Sequence, residues 1–181
     1  KTEDEEESML SGEALTSRAK DLFNELLVAN KEGSSAFEDD DLSTASARFS
    51  AALALSDELE RITDRPSEDL HDITALMTRH ESLKITINNN LLEVSRTLWQ
   101  DRIGQMIVRG EEAAEAHAEE RFEDAVNALK TILAEIEDAF SDLVKEFGET
   151  DELTLQVEGL RENLQGNLEA GREGVAQNRI E

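Results

Sequence analysis

Glu68-Asp69-Leu70-His71 carries the chain's one Glu-x-x-His spacing. On a helix those two residues share a face, and di-iron carboxylate bundles use the pair twice, with two further Glu from other helices. Here it stands alone, at a segment start where the helix dipole favours a carboxylate in any case. The sequence predicts no metal there. His80 and His117 have no ligand-type spacing, and His80 is expected at the surface or as a hydrogen-bonded core residue. Glu111, Glu112, Glu115, Glu119 and Glu120 crowd one stretch. Paired carboxylates do acid–base work when burial splits their pKa values. The Ala residues between these Glu leave them instead on a solvated helix face. No Gly-rich phosphate loop, nucleophile elbow or Ser/His/Asp set is present. The residues predict no catalytic, cofactor-binding or metal site, and no enzyme.

Charge sets the next bound. The 181 residues carry 43 Asp and Glu against 18 Lys and Arg, a net charge of -25. Phosphate binding needs clustered cations, so nucleic acid is excluded as a partner, and anionic membrane surfaces are disfavoured for the same reason. A basic protein partner fits the field; the bland alternative is that the acidity serves solubility alone. Lys occurs six times and Arg twelve, against 29 Glu. That balance resembles the proteins of salt-loving archaea, although those are often richer in Asp. There is no Cys, so disulfides and thiolate metal sites are excluded. No apolar run approaches the roughly 20 residues that cross a bilayer, and no secretory segment is visible. Membrane insertion is not expected, and a cytoplasmic location is. With Lys1 in place of Met, the chain is expected to be a piece of a longer protein or a processed form.

Apolar residues recur at helical spacing throughout, and one Pro with nine Gly leaves few breakers. An all-α fold of about five helices follows. Residues 1–8 are an acidic start, disordered or solvated. A first helix fits Met9 to Glu38, and Asp39-Asp40-Asp41 reads as a turn ending in an N-cap. A second fits 42–63, before the break at Asp64-Arg65-Pro66-Ser67. From Glu68 to Glu119 no strong stop appears, although Asn88-Asn89-Asn90, Gly104 and Gly110 are weak points. A fourth helix fits 121–147, stopped by Gly148. A fifth fits 151–170, with Gly166, Gly171 and Gly174 expected to fray its end. The organisation is thus 1–8, a first helical unit 9–66, a long central segment 67–119 and a second unit 120–181, in one compact or elongated domain.

An offset of 80 residues aligns two stretches. Phe23 falls on Ile103, Leu26 on Met106, Gly33 on Ala113, Leu42 on Phe122, Ala45 on Ala125 and Phe49 on Leu129. Apolar meets apolar and small meets small, in phase through a turn of equal length. Small residues are needed where helix backbones approach, and large ones fill the space beside them. The unit resembles a tetratricopeptide (TPR) hairpin. Gly33, Leu42, Ala45, Phe49 and Ala52 stand at that family's spacing, and Ala113, Phe122, Ala125, Leu129 and Ile132 take the same places in the second copy. Ile132 is larger than the family's Ala, the family's terminal Pro is missing, and the repeat is 80 residues rather than about 34. The extra length implies a third helix per unit, so a paired three-helix bundle sharing the central segment is the alternative.

The resemblance implies a non-enzymatic scaffold that binds a protein through a groove or face. The alternative is a structural spacer or self-associating bundle, which leaves room for a homo-oligomer. Trp99, the only Trp, reads as a core filler or an interface anchor. Lys31 to Ser35 offers one Lys and no Asn for the carboxylate clamp of some TPR grooves, so that clamp is not expected.

Overall fold

A computed structural model describes residues 12–64 and 73–178. The acidic start, the Glu68–His71 motif and Pro66 lie outside them. Five helices follow one another: α1 (Gly12–Glu38), α2 (Leu42–Thr63), α3 (Thr74–Ala118), α4 (Phe122–Phe147) and α5 (Glu152–Asn178). No strand occurs among the described residues, so the fold is all-α. The helix of α3 is uninterrupted through Asn88–Asn90, Gly104 and Gly110. The chain divides into two compact units within α3, between Thr97 and Leu98.

In the first unit α1 and α2 pack closely against each other. Gly33 is the reason they can. A Cβ built on it would lie 2.8 Å from the ring of Phe49, inside van der Waals contact. A glycine inside a helix costs about 0.5–1 kcal/mol, and the buried Phe49 ring offsets it. Ala45 and Ala52 are fully buried on the same side of α2. Residues 74–97 of α3 complete the unit, with Ile87 and Val94 joining Leu26 and Phe49 in one core cluster.

The second unit uses residues 98–118 of α3 with α4 and α5. Ile103, Met106, Leu129, Ile136, Val157 and Leu164 lie in its core. Ala113 and Leu129 are both buried in that cluster, at the places Gly33 and Phe49 hold in the first.

The turns repeat atom for atom in their hydrogen bonding. Asp39, Asp40 and Asp41 donate their N–H groups to the carbonyls of Ser35, Phe37 and Ala36; Glu119, Glu120 and Arg121 donate to Glu115, His117 and Ala116. Asp40 and Glu120 both sit at φ 61°, in the left-handed region. A short Asp tolerates that conformation better than most L-residues, while Glu120 holds it because the same three hydrogen bonds close the turn. The caps differ: the Asp41 carboxylate accepts from the Thr44 N–H at 3.0 Å, whereas Arg121 makes no side-chain cap.

The third helix of each unit follows a different offset. His80, Ile87 and Val94 are buried at seven-residue spacing in α3, and Val157, Leu164 and Gly171 in α5. These align at 77 residues rather than 80. An ion pair supports that register. Lys84 reaches Asp57 at 3.3 Å, and Arg161, 77 residues on, approaches Glu137, 80 residues on, at 3.7 Å.

One expectation fails at the end of the chain. α5 continues to Asn178 rather than fraying near 170. Gly171 and Gly174 are buried: a Cβ on Gly171 would lie 3.0 Å from Val126, and one on Gly174 would lie 2.5 Å from the Phe122 ring. These glycines admit α4, and the packing they permit outweighs their poor helix propensity.

Candidate functional site

Most of the signature residues read from the sequence lie inside the two cores. Gly33, Leu42, Ala45, Phe49 and Ala52 are buried in the first unit, and Ala113, Ala125 and Leu129 in the second; Phe122 is half-buried against Gly174. They brace helices and offer no chemistry to solvent.

Polar burial singles out one pair. Ser56 and His80 are both fully buried, and Ser56 Oγ lies 2.7 Å from His80 Nε2. His80 Nδ1 is buried without a hydrogen-bond partner. A buried, unpaired imidazolium N–H is costly, so the neutral ring fits best, with Nε2 sharing its one hydrogen bond with Ser56. Burial holds the His80 pKa below its ordinary value, opposed in part by the nearby Glu60. Lys84 bonds Glu60 at 2.9 Å and Asp57 at 3.3 Å, and those bonds raise its pKa. The pair is thus a core contact with one ring nitrogen, Nδ1, left unpaired. No group of three His, Asp or Glu able to hold a metal occurs among the described residues.

The Glu111–Glu120 carboxylates are exposed on or just beyond the end of α3. Trp99 packs half-buried against the second unit's core, its Nε1 donating to Glu146 at 3.1 Å and its ring under Arg102 at 4.8 Å. On the neighbouring face Arg109 forms a two-pronged ion pair with Glu135 at 2.6 and 3.0 Å, which lowers the Glu135 pKa.

A different feature stands out on the outer side of α3 in the first unit. Ile85 is 63% exposed and Leu92 43% exposed, one heptad apart. Between and beside them are Thr78, Ser82 and Asn89, at alternating spacings of four and three residues, which is a seam along one side of a helix. The opposite side carries the buried His80, Ile87 and Val94. The hydroxyl donors on and beside the seam are satisfied within the helix. Thr78, Ser82 and Thr86 turn their hydroxyls back to carbonyls four residues earlier, at 3.1, 3.4 and 3.1 Å. Those donors need no water, so covering the face leaves them satisfied. Residues 74–97 hold Arg79, Lys84 and Arg96 against Glu81 and Glu93, a net charge of +1 in a chain of -25. The sequence signal was present, in the second apolar stripe of Ile85 and Leu92, but Leu92 was hidden beside the core stripe residue Leu91.

Comparison with protein-family models, curated proteins and solved structures finds no match for the chain. What the fold defines is an acidic all-α protein of two compact helical units. None of its described helices is long and apolar enough to cross a membrane.

Proposed function

We propose that this chain is a non-enzymatic scaffold that binds protein through the outer face of α3. One observation carries the reading: an uncharged seam with Ile85 and Leu92 in water, on a molecule that is otherwise strongly acidic. Apolar groups that are grouped and exposed mark interaction surfaces more often than chance placement does. The α1–α2 hairpin, with its TPR-like pattern of small and large residues, acts in this reading as the brace that holds the seam helix in place. The acidic remainder steers a partner and favours one with basic patches around an apolar centre. The haloarchaeal balance of charged residues and a cytoplasmic setting belong to the same proposal.

The test places a photo-crosslinking amino acid at position 85 of the whole protein in cells, with position 131, an exposed site on α4, as control. Discrete adducts from position 85 that position 131 does not give support the reading. No adduct at 85, or the same smear from both, refutes it.

A further inference from the structure

We infer that the outer face of α3 pairs with the same face of a second copy of this chain, in an antiparallel helix pair. The inference rests on the reading of that face as a protein contact and adds the occupant.

Charge is the first argument. A copy carrying -25 is repelled by every acidic surface of its twin, and repulsion is weakest where the surface is not acidic. Residues 74–97 are that place: Lys84 is bonded to Glu60 and Asp57, and Arg79 and Arg96 balance Glu81 and Glu93, so the stretch is close to neutral. A basic partner would gain only from the acidic surface around this stretch, whereas an identical copy meets none of its own acid runs there.

Register is the second. In an antiparallel pair the seam positions of one helix pack beside the alternate seam positions of the other, and the flanking rows meet their own counterparts. Take the register centred on Ile87. Ile85 then lies opposite Asn89 of the other copy, and Leu92 opposite Ser82. The flanking row sets Arg79, whose guanidinium lies over the Phe23 ring at 5.2 Å in the single chain, opposite Glu93 of the other copy, twice by symmetry, so turning outward would let it meet an opposite charge at both ends. On the other flank Glu81 faces Ser95 and Asn88 faces Asn88. In these pairings no like charges face one another directly, and Arg96, the next position along the seam, faces Thr78.

The mixture of two apolar and several small polar residues makes the pair weak, and the acidic remainder makes it dependent on salt. Exposed charges act over a Debye length of about 10 Å at 0.1 M and about 3 Å at 1 M. Sedimentation equilibrium of the full 181-residue chain in sodium chloride from 0.1 to 1 M should show a monomer–dimer equilibrium that shifts to dimer by roughly tenfold as screening sets in. Ile85→Glu with Leu92→Glu alters exposed side chains only, so helicity by circular dichroism should be kept while the dimer is lost. Glu93→Arg should weaken the dimer, and Arg79→Glu added to it should restore it. The chain lacks Cys, so an equal mixture of Ser82→Cys and Leu92→Cys chains reads the register directly: mixed disulfides are expected. A monomer at all salt concentrations overturns the inference, as does a dimer indifferent to the Ile85 and Leu92 changes. Disulfides only between identical variants overturn the antiparallel register. The crosslink at position 85 separates the two readings. An adduct of twice the chain's mass supports both, adducts with other proteins alone support the scaffold and overturn the second copy, and no adduct overturns both.

Discussion

At the centre of the first unit Ser56 is hydrogen-bonded to His80, and at the equivalent positions of the second stand Ile136 and Val157, all four fully buried. The same slot is filled once with a polar pair and once with hydrocarbon. Two apolar residues fill it without conditions. The polar pair is neutral in stability only while both partners are present and the imidazole is uncharged. The units therefore share a backbone plan and differ in what threatens them: the first is sensitive to partner loss and to acid, the second chiefly to cavities. A second contrast accompanies it. The first unit closes its hairpin on Gly33 against Phe49, while the equivalent positions of the second hold the bulkier Ala113 and the smaller Leu129, both buried in one core.

The largest expected effect comes from breaking that helix crossing. Gly33→Leu drives a side chain into the Phe49 ring and should cost about 1–3 kcal/mol by overpacking. Chemical denaturation measures it, and a variant as stable as the parent would remove Gly33 from the crossing. Ala113→Gly, which makes the second unit resemble the first, should cost only about 0.5–1 kcal/mol through helix propensity.

Close behind is the polar pair. Ser56→Ala strips His80 of its one partner and should cost about 1–3 kcal/mol. The double change Ser56→Ile with His80→Val transplants the second unit's solution and should be near neutral or stabilising. If the double variant is less stable than Ser56→Ala, the two slots are not equivalent.

Acid sharpens the comparison further. The folded His80 pKa is lowered, so above the unfolded value of about 6.5 both states are neutral and stability is full. As pH falls below that value the unfolded chain binds a proton that the folded chain resists, and stability declines until the folded pKa is passed. The slope for one group is at most about 1.4 kcal/mol per pH unit. Denaturation midpoints between about pH 7 and 5.5, a window that brackets the unfolded value, should fall for the parent relative to the double variant with both apolar replacements. Parallel curves would mean that His80 does not report.

Salt should act on both units alike, because their net charges are -12 and -13. Melting points should rise from about 0.1 to 1 M sodium chloride as repulsion is screened. Trp99 fluorescence reports the second unit and far-ultraviolet circular dichroism reports both, so divergence of the two probes with salt would break the symmetry. The smallest effect is at the caps. Asp41→Ala should lower the melting point more than Arg121→Ala, since only Asp41 accepts a backbone N–H.

Much of the architecture was legible in the residues. Helical spacing, the turn at Asp39–Asp41 with its cap, and the Gly148 stop are local signals, and each has a local physical cause: amphipathic periodicity, an Asp oxygen for an orphan N–H, and a φ of 93° that glycine adopts freely. The 80-residue offset was visible because it runs through contiguous chain. The 77-residue offset of the third helices was not, because unequal connections before α3 and α5 reset the count, and only packing against the hairpin shows which residues correspond. The candidate site was less legible still. Ile85 and Leu92 are ordinary apolar residues in an apolar-rich helix, and their identity as a surface depends on which side of α3 the core takes.

By itself the sequence determined the fold class, the helix order, the repeat, the charge and the lack of thiol chemistry, because these follow from composition and short-range spacing. Tertiary structure alone decided that Gly171 and Gly174 are packing sites rather than frayed ends, that His80 shares a buried bond with Ser56, and that the seam of α3 faces water. Each of those depends on residues far apart in sequence meeting in space, and the free energy that selects among the alternatives is the burial and close packing of surfaces that no single segment possesses.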